Sequence, residues 1–167
     1  RVAAGAHDQS CAALGAGVLR EGMAHDGTGT SECISVPFDR PVDTRRLAGY
    51  HFNSGIHADS AKFLSLAFTY SAGSLVKWYK NTFGGHLAAE AERKGVSVYR
   101  LLDEQAAAKP TGLLLLPHFA GSGTPYMDEN ARGLVSGLTL NTTPGEFYRA
   151  ILEGAACEMR LNLQCLA

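Results

Sequence analysis

The sequence has no long apolar run. Its longest strictly aliphatic stretch is the four leucines at 113–116, whereas a membrane-spanning helix needs about 20 apolar residues. No charge of either sign dominates: 15 Lys and Arg stand against 16 Asp and Glu, net −1. No basic excess is available to hold a nucleic-acid backbone, and there is no acidic tail. Nucleic-acid and membrane partners are therefore not expected. Cysteine is sparse. Cys11, Cys33, Cys157 and Cys165 form no CxxC and no zinc spacing, so free thiols in a reducing cytosol are expected. The start carries no secretory pattern, and a cytoplasmic protein is the expectation. No GxxxxGK[ST] occurs, which excludes a P-loop, and no GxGxxG follows a strand. The absence of GxSxG argues against an α/β-hydrolase. The pairs His7-Asp8 and His25-Asp26 lack the further ligands that metal-dependent phosphohydrolysis needs. His51, His57, His86 and His118 also have no ligand spacing. No protein metal site is expected.

Glycine, by contrast, is abundant. There are 19 in 167 residues, where average usage of about 7% would give roughly 12. They cluster among small and hydroxyl residues, as in loops that approach a ligand closely. Hydrophobic residues make up 46% and charged residues 19%, a globular balance. The length suits one ordinary domain or pieces of two. The chain starts on Arg1 with an apolar run, and a helical pattern is still running at Ala167. Both features read as the ends of a slice from a longer protein.

Periodicity and punctuation give a mixed α/β order. Residues 2–6 read as a short strand. Asp8 is the expected N-cap of a helix over about 9–19, with Gly15 and Gly17 inside it for close packing. Residues 22–36 read as a hairpin whose turn is Gly27-Thr28-Gly29-Thr30-Ser31. Residues 37–60 read as loop with short strands, and 62–67 as a strand. A helix capped by Ser71 or Ser74 runs to about Phe83, and Gly84-Gly85 stops it. Two more helices are expected, at about 86–94 and 97–108. The leucines at 113–116 read as a buried strand and 134–140 as another, with a polar Gly/Pro loop over 118–132 between them. Pro144-Gly145-Glu146 opens the last helix, with apolar positions Phe147, Ile151, Leu152, Ala155, Met159, Leu163 and Leu166.

Three segments carry chemistry-bearing residues. Gly5-Ala6-His7-Asp8-Gln9 puts a carboxylate and an amide at a strand-to-helix turn, where ligands bind in open α/β sheets. By itself it reads first as a plain helix cap. Gly27-Thr28-Gly29-Thr30-Ser31 offers backbone N–H groups and hydroxyls suited to phosphate oxygens, and alone it is also an ordinary hairpin turn. The segment from Leu116 to Asp128 is rich in Gly, Pro and aromatics and is a candidate cleft lining.

Taken together, these segments resemble the FGGY family of carbohydrate kinases. The most specific match is Gly133-Leu134-Val135-Ser136-Gly137-Leu138, then seven residues, then Glu146-Phe147-Tyr148-Arg149-Ala150-Ile151-Leu152-Glu153. Pro117-His118-Phe119-Ala120-Gly121, Pro125-Tyr126-Met127-Asp128 and Ala131-Arg132-Gly133 are similar to the family's preceding motifs, with Met127 in place of the usual Trp. Gly5-x-x-Asp8-Gln9 resembles its catalytic-base segment, and Gly29-Thr30-Ser31 its ATP-phosphate turn. Ala72-Gly73-Ser74 with Lys77-Trp78 resembles the helix start near the nucleotide, although Lys77 departs from the Gln of glycerol kinases.

The resemblance implies a partial ribonuclease H-like (actin-like ATPase) fold, an α/β architecture with a mixed sheet flanked by helices. Residues 1–21 would end the N-terminal domain and 22–167 would form the truncated front of the C-terminal domain. The family's Asp-x-Gly-Thr loop and Gly-Gly-Gly-Ala segment are not in the sequence, so these residues alone are expected not to turn over ATP. The implied reaction is phosphoryl transfer from ATP, with Mg2+, to a sugar or polyol hydroxyl. Asp8 would be the base, Gln9 a substrate contact, and Gly29, Thr30, Ser31, Gly73 and Lys77 the ATP contacts. Within the family, the 29–31 turn and the His7-Asp8 context are more similar to xylulokinase-type enzymes, implying a pentulose such as D-xylulose. Kinases for glycerol, gluconate or fuculose, and a non-catalytic actin-like ATP- or sugar-binding module, stay as alternatives. Homodimerisation of the whole protein is left open.

Overall fold

The computed structural model of the chain describes residues 5–59 and 61–166, the side chains of Thr44 and Arg46 excepted. Most of the strand expected at 2–6 lies outside them, and Gly5 and Ala6 precede the first helix without strand structure. Helix α1 spans Asp8–Gly15. It ends earlier than the sequence pattern suggests, and the reason is Gly17. With φ at +76°, Gly17 donates its N–H to Leu14 O at 3.0 Å while Val18 donates to Ala13 O at 2.9 Å. This is a glycine-terminated helix end whose following residue, Val18, is buried. Gly15 and Gly17 have open space where a Cβ would sit, so close packing does not explain them.

Strands β1 (His25–Thr28), β2 (Glu32–Phe38), β3 (Asn53–Ile56) and β4 (Phe63–Thr69) form one antiparallel sheet in the order β1-β2-β4-β3. The β1–β2 hairpin pairs His25 with Ser35 through to Thr28 with Glu32, so the expected hairpin and its turn are present. Alternation along β2 puts Ile34 and Val36 on the face that meets Ala67, Leu47, Phe52 and Met159. Helix α2 (Thr44–Gly49) stands where the sequence reading had only loop and short strands. Its signal is Asp43, whose carboxylate accepts from Arg45 N–H at 2.9 Å.

Helix α3 (Gly73–Phe83) is followed by a 3-10 turn at Gly85–Leu87, then α4 (Ala88–Lys94) and α5 (Val98–Gln105). Neither Ser71 nor Ser74 caps α3, whose N-cap is Ala72. Ser71 Oγ instead accepts from Ala120 N–H at 3.2 Å. Strands β5 (Leu114–Leu116) and β6 (Leu134–Ser136) make a separate two-stranded sheet. It is not buried as expected: Leu114 is 76% exposed and only Leu115 of the three β5 leucines is buried. The second strand stops at Ser136 because Gly137 takes φ +89°.

Helix α6 (Pro144–Leu166) ties the parts together. Its start is a capping box. Glu146 N–H donates to Thr143 Oγ1 at 3.2 Å, and Thr143 N–H donates back to Glu146 Oε2 at 2.7 Å. One end packs Tyr148, Ala150 and Ile151 with Leu75, Tyr79, Leu101 and Leu115, and the other packs Met159 and Leu166 under the main sheet. The buried stripe is not the all-apolar one the pattern suggests. Glu158 and Asn162 are buried while Leu152 and Leu163 are more than a third exposed.

The segment between β5 and β6 explains those polar residues. Thr124 N–H donates to Phe68 O at 3.0 Å and Phe68 N–H to Thr124 Oγ1 at 2.8 Å, which continues β4 beyond its pairing with β3. Thr124 Oγ1 then donates to Asn162 Oδ1 at 2.8 Å, and Asn162 Nδ2 to Glu158 O at 3.0 Å. His118 Nε2 lies 3.3 Å from Glu158 Oε1, both side chains largely buried. Residues 121–125 are buried. The middle of this loop is thus an anchor, whereas Tyr126 is 57% exposed and Phe119 and Ala120 line a cavity with Ser71, Ser74 and Trp78.

Candidate active site

Asp8 opens α1 but is not its cap. His7 occupies the N-cap, its Nδ1 accepting from Gln9 N–H at 3.3 Å. Asp8 Oδ1 also accepts from Gln9 N–H, at 2.7 Å, and the side chain is 85% exposed. An Asp in the first helical turn is favoured by the helix dipole, and here the carboxylate faces solvent rather than the fold.

Gln9 lies over the hairpin. Its Oε1 would be 2.7 Å from a Cβ on Gly27, so Gly27 admits the amide by having no side chain. The same Oε1 is buried without a hydrogen-bond partner. Helix α1 therefore sits against the end of β1, next to the 29–31 turn. Cys33, opposite Gly27 on β2, registers this crowding. Burial first, then the negative charges of Asp8 and Asp26, push its thiol up to about 11. It stays protonated at neutral pH and is no nucleophile. All four cysteines are unpaired.

Thr30 and Ser31 are exposed at the turn. The carbonyls of Gly29 and Thr30 accept from Gly73 N–H and Ser74 N–H, each at 3.0 Å. The structure thus joins the turn to the start of α3. Lys77 is exposed one helical turn after Gly73. Of the sequence-derived residues, Gln9 meets the hairpin, Gly29 and Thr30 meet Gly73, and Asp8 stands at the head of the neighbouring helix.

Beside the turn lies an open groove of about 500 Å³ between the hairpin and α6, lined among others by Asp26, Thr28, Glu32, Gly73, Val76 and Met159. The sequence reading missed Asp26, Thr28 and Glu32 as groove residues. Their signal was the spacing of two along paired strands, which puts them on one face. Burial first, then the Asp26 charge, raises the Glu32 carboxyl above its usual range, although Thr28 donates a hydrogen bond to it at 3.2 Å. Ionised Glu32 is therefore less favourable in the folded chain than in the unfolded one. Glu32→Gln should stabilise the fold at pH 7. The gain should shrink as pH falls toward about 4.3, where the wild-type carboxyl gains its proton in both states. Solvent screening keeps the effect to about 0.2–1 kcal/mol, as for other cross-strand like-charge pairs. Urea melts of both proteins at pH 7 and pH 4 check it. A wild type more stable than Glu32→Gln at pH 7 would refute it.

Among the described residues, no group of three or more His, Cys, Asp or Glu side chains is placed to hold a metal ion. No described helix is long and apolar enough to cross a membrane.

Residues 27–167 match the C-terminal domain of the FGGY family of carbohydrate kinases. The chain is similar to the xylulose kinase of Lactococcus lactis subsp. lactis, with 33% identity over 162 residues, 96% of this chain and 30% of that protein. It is also similar to the glycerol kinase of Oleidesulfovibrio alaskensis, with 30% identity over 96% of this chain and 31% of that protein. Among solved structures, the xylulose kinase of Rhodospirillum rubrum superimposes with a TM-score of 0.78 at 27% identity, over 97% of this chain and 30% of that one. The chain thus spans about 30% of the length of the relatives it matches, and its fold is the actin-like ATPase fold of these sugar kinases.

Proposed function

The chain belongs to the FGGY family of carbohydrate kinases, and on that premise we propose that the whole protein transfers the γ-phosphoryl group of ATP to a hydroxyl of a pentulose such as D-xylulose. Residues 1–21 would end its first domain and residues 22–167 would open its second. The observation that carries the reading is the placement of a solvent-facing carboxylate, Asp8, on a helix packed against the hairpin that bears the Gly29-Thr30-Ser31 turn.

In this reaction the hydroxyl oxygen bonds to the γ-phosphorus as the bond from phosphorus to the β,γ-bridging oxygen breaks, and ADP leaves. Asp8 accepts the hydroxyl proton. Such transition states are loose, so the base mainly orients the alcohol and takes its proton late. Gln9, adjacent to Asp8, contacts a neighbouring hydroxyl through its Nε2, since its Oε1 is turned to Gly27. The hydroxyls of Thr30 and Ser31 meet phosphate oxygens, Gly29 N–H being given to Ser31 O at 2.9 Å, and Lys77 contributes a positive charge one helical turn after Gly73, on which the 29–31 turn sits. Mg2+ usually enters with substrate phosphates and keeps several waters. The residues described here build no cage for it.

ADP release by the whole protein, coupled to a spectroscopic readout over a panel of ketoses and polyols, tests the proposal. The highest kcat/KM is expected with a pentulose. A maximum with glycerol would overturn the substrate, and ATP binding without transfer to any panel member would overturn the reaction in favour of a non-catalytic module.

A further inference from the structure

Helix α3 starts without a side-chain cap, yet its first amides are all satisfied. Gly73 N–H donates to Gly29 O and Ser74 N–H to Thr30 O, while Leu75 and Val76 donate back to Ala72 O at 3.0 and 3.3 Å. Of the four N–H groups that a helix start normally leaves open, here those of Ala72, Gly73, Ser74 and Leu75, the last three are closed within the chain at 3.0 Å. Ala72 N–H adds a longer bond to Thr30 O at 3.4 Å. The approach depends on Gly73 having no side chain, because a Cβ there would overlap the Gly29 carbonyl oxygen and crowd its carbon at 3.2 Å. Gly29 itself is not so constrained. A Cβ on it would meet only Ser31 O, at an ordinary 3.6 Å. Thr28 is turned to Glu32, whereas Thr30 and Ser31 are exposed.

We infer that Gly73 is a positioning residue: it seats the Gly29-Thr30-Ser31 turn on the start of α3, so that the turn's hydroxyls, and not the amides of α3, meet the phosphates. An anion at the α3 N-terminus, ordinarily a favourable place for one, would first have to displace two backbone carbonyls. The seat also fixes the start of the helix that carries Lys77 relative to Thr30, which makes the turn and the helix one unit. The assignment of phosphate to this turn rests on the function proposed above, but the seat itself does not.

Two measurements on the whole protein separate these. The first is amide hydrogen exchange without nucleotide, which reports local opening. The Gly73 and Ser74 amides should exchange about 10-fold or more slowly than unprotected amides, and added MgATP should change their rates by less than about 2-fold. Free exchange that becomes slow only with MgATP would overturn the inference, whatever the enzyme's substrate. The second is Gly73→Ala, expected to raise KM for ATP about 10-fold or more while KM for the sugar moves less than about 3-fold. An unchanged KM for ATP, or equal losses for both substrates, would overturn it. If the alanine variant does not fold, or if the protein proves not to be a kinase, the exchange result still decides.

Discussion

Replacing Asp8 with Asn is expected to lower kcat by about 10²–10⁴-fold with little change in KM for either substrate. The substitution keeps size and most hydrogen bonding but removes the proton acceptor. Its structural cost should be small, because the side chain is 85% exposed and its partners are its two sequence neighbours, the Gln9 N–H at 2.7 Å and His7 Nδ1 at 3.1 Å. The lost charge in the first helical turn should cost less than about 1 kcal/mol. His7, not Asp8, holds the cap, so the helix keeps its start in the variant. Steady-state kinetics and a thermal melt on the whole protein read the two effects separately. Turnover within about threefold of wild type would rule out Asp8 as the base. A melting shift large enough to explain the loss would make it a structural residue.

The largest expected stability effect lies on α6. Ile151 is fully buried and packs in the cluster that includes Tyr79, Leu101, Leu115 and Tyr148. Ile151→Ala should cost about 2–5 kcal/mol, from lost transfer energy and the cavity left behind. That is a large fraction of the roughly 5–15 kcal/mol that holds a typical domain together. Two residues away, Arg149 pairs with Glu153 at 2.7 Å on the same helix, and breaking that half-exposed pair should cost only about 0.3–0.5 kcal/mol. The urea midpoints of Ile151→Ala and Arg149→Ala give the comparison. Equal effects would mean that α6 is held by its surface pairs and not by its buried stripe.

Much of this arrangement was legible in the residues. Gly27-Thr28-Gly29-Thr30-Ser31 between two alternating runs announced the β1–β2 hairpin, and the structure has it. Pro144-Gly145-Glu146 announced the start of α6, which the structure closes with a Thr143–Glu146 capping box. These are local signals, set by turn conformation and by amides that need acceptors, and they survive whatever the rest of the chain does. Helix α2 is not legible in the sequence because it is only six residues long and lies among Pro37, Pro41, Gly49 and Gly55, residues that punctuate loops. The stripe on α6 was misjudged for another reason. Glu158 and Asn162 look like surface residues by type, but Thr124 and His118 meet them from a loop more than 30 residues away in sequence, and no period within a helix reports such a partner.

The same division runs through the candidate site. By itself the sequence determined which groups it offers: a carboxylate beside an amide at the head of a helix, a glycine and hydroxyl turn without a P-loop, and the motifs that place the chain among the sugar kinases. These depend on residue types at short spacing, which the chain carries in any conformation. Only the tertiary structure decided what each glycine is for. Gly17 ends a helix through its positive φ, Gly27 lies under the Gln9 amide, and Gly73 receives the Gly29 carbonyl. At Gly27 and Gly73 the missing Cβ has no meaning until a second segment arrives to occupy its place, and which segment arrives is fixed by packing between residues far apart in the chain, whereas Gly17 acts locally.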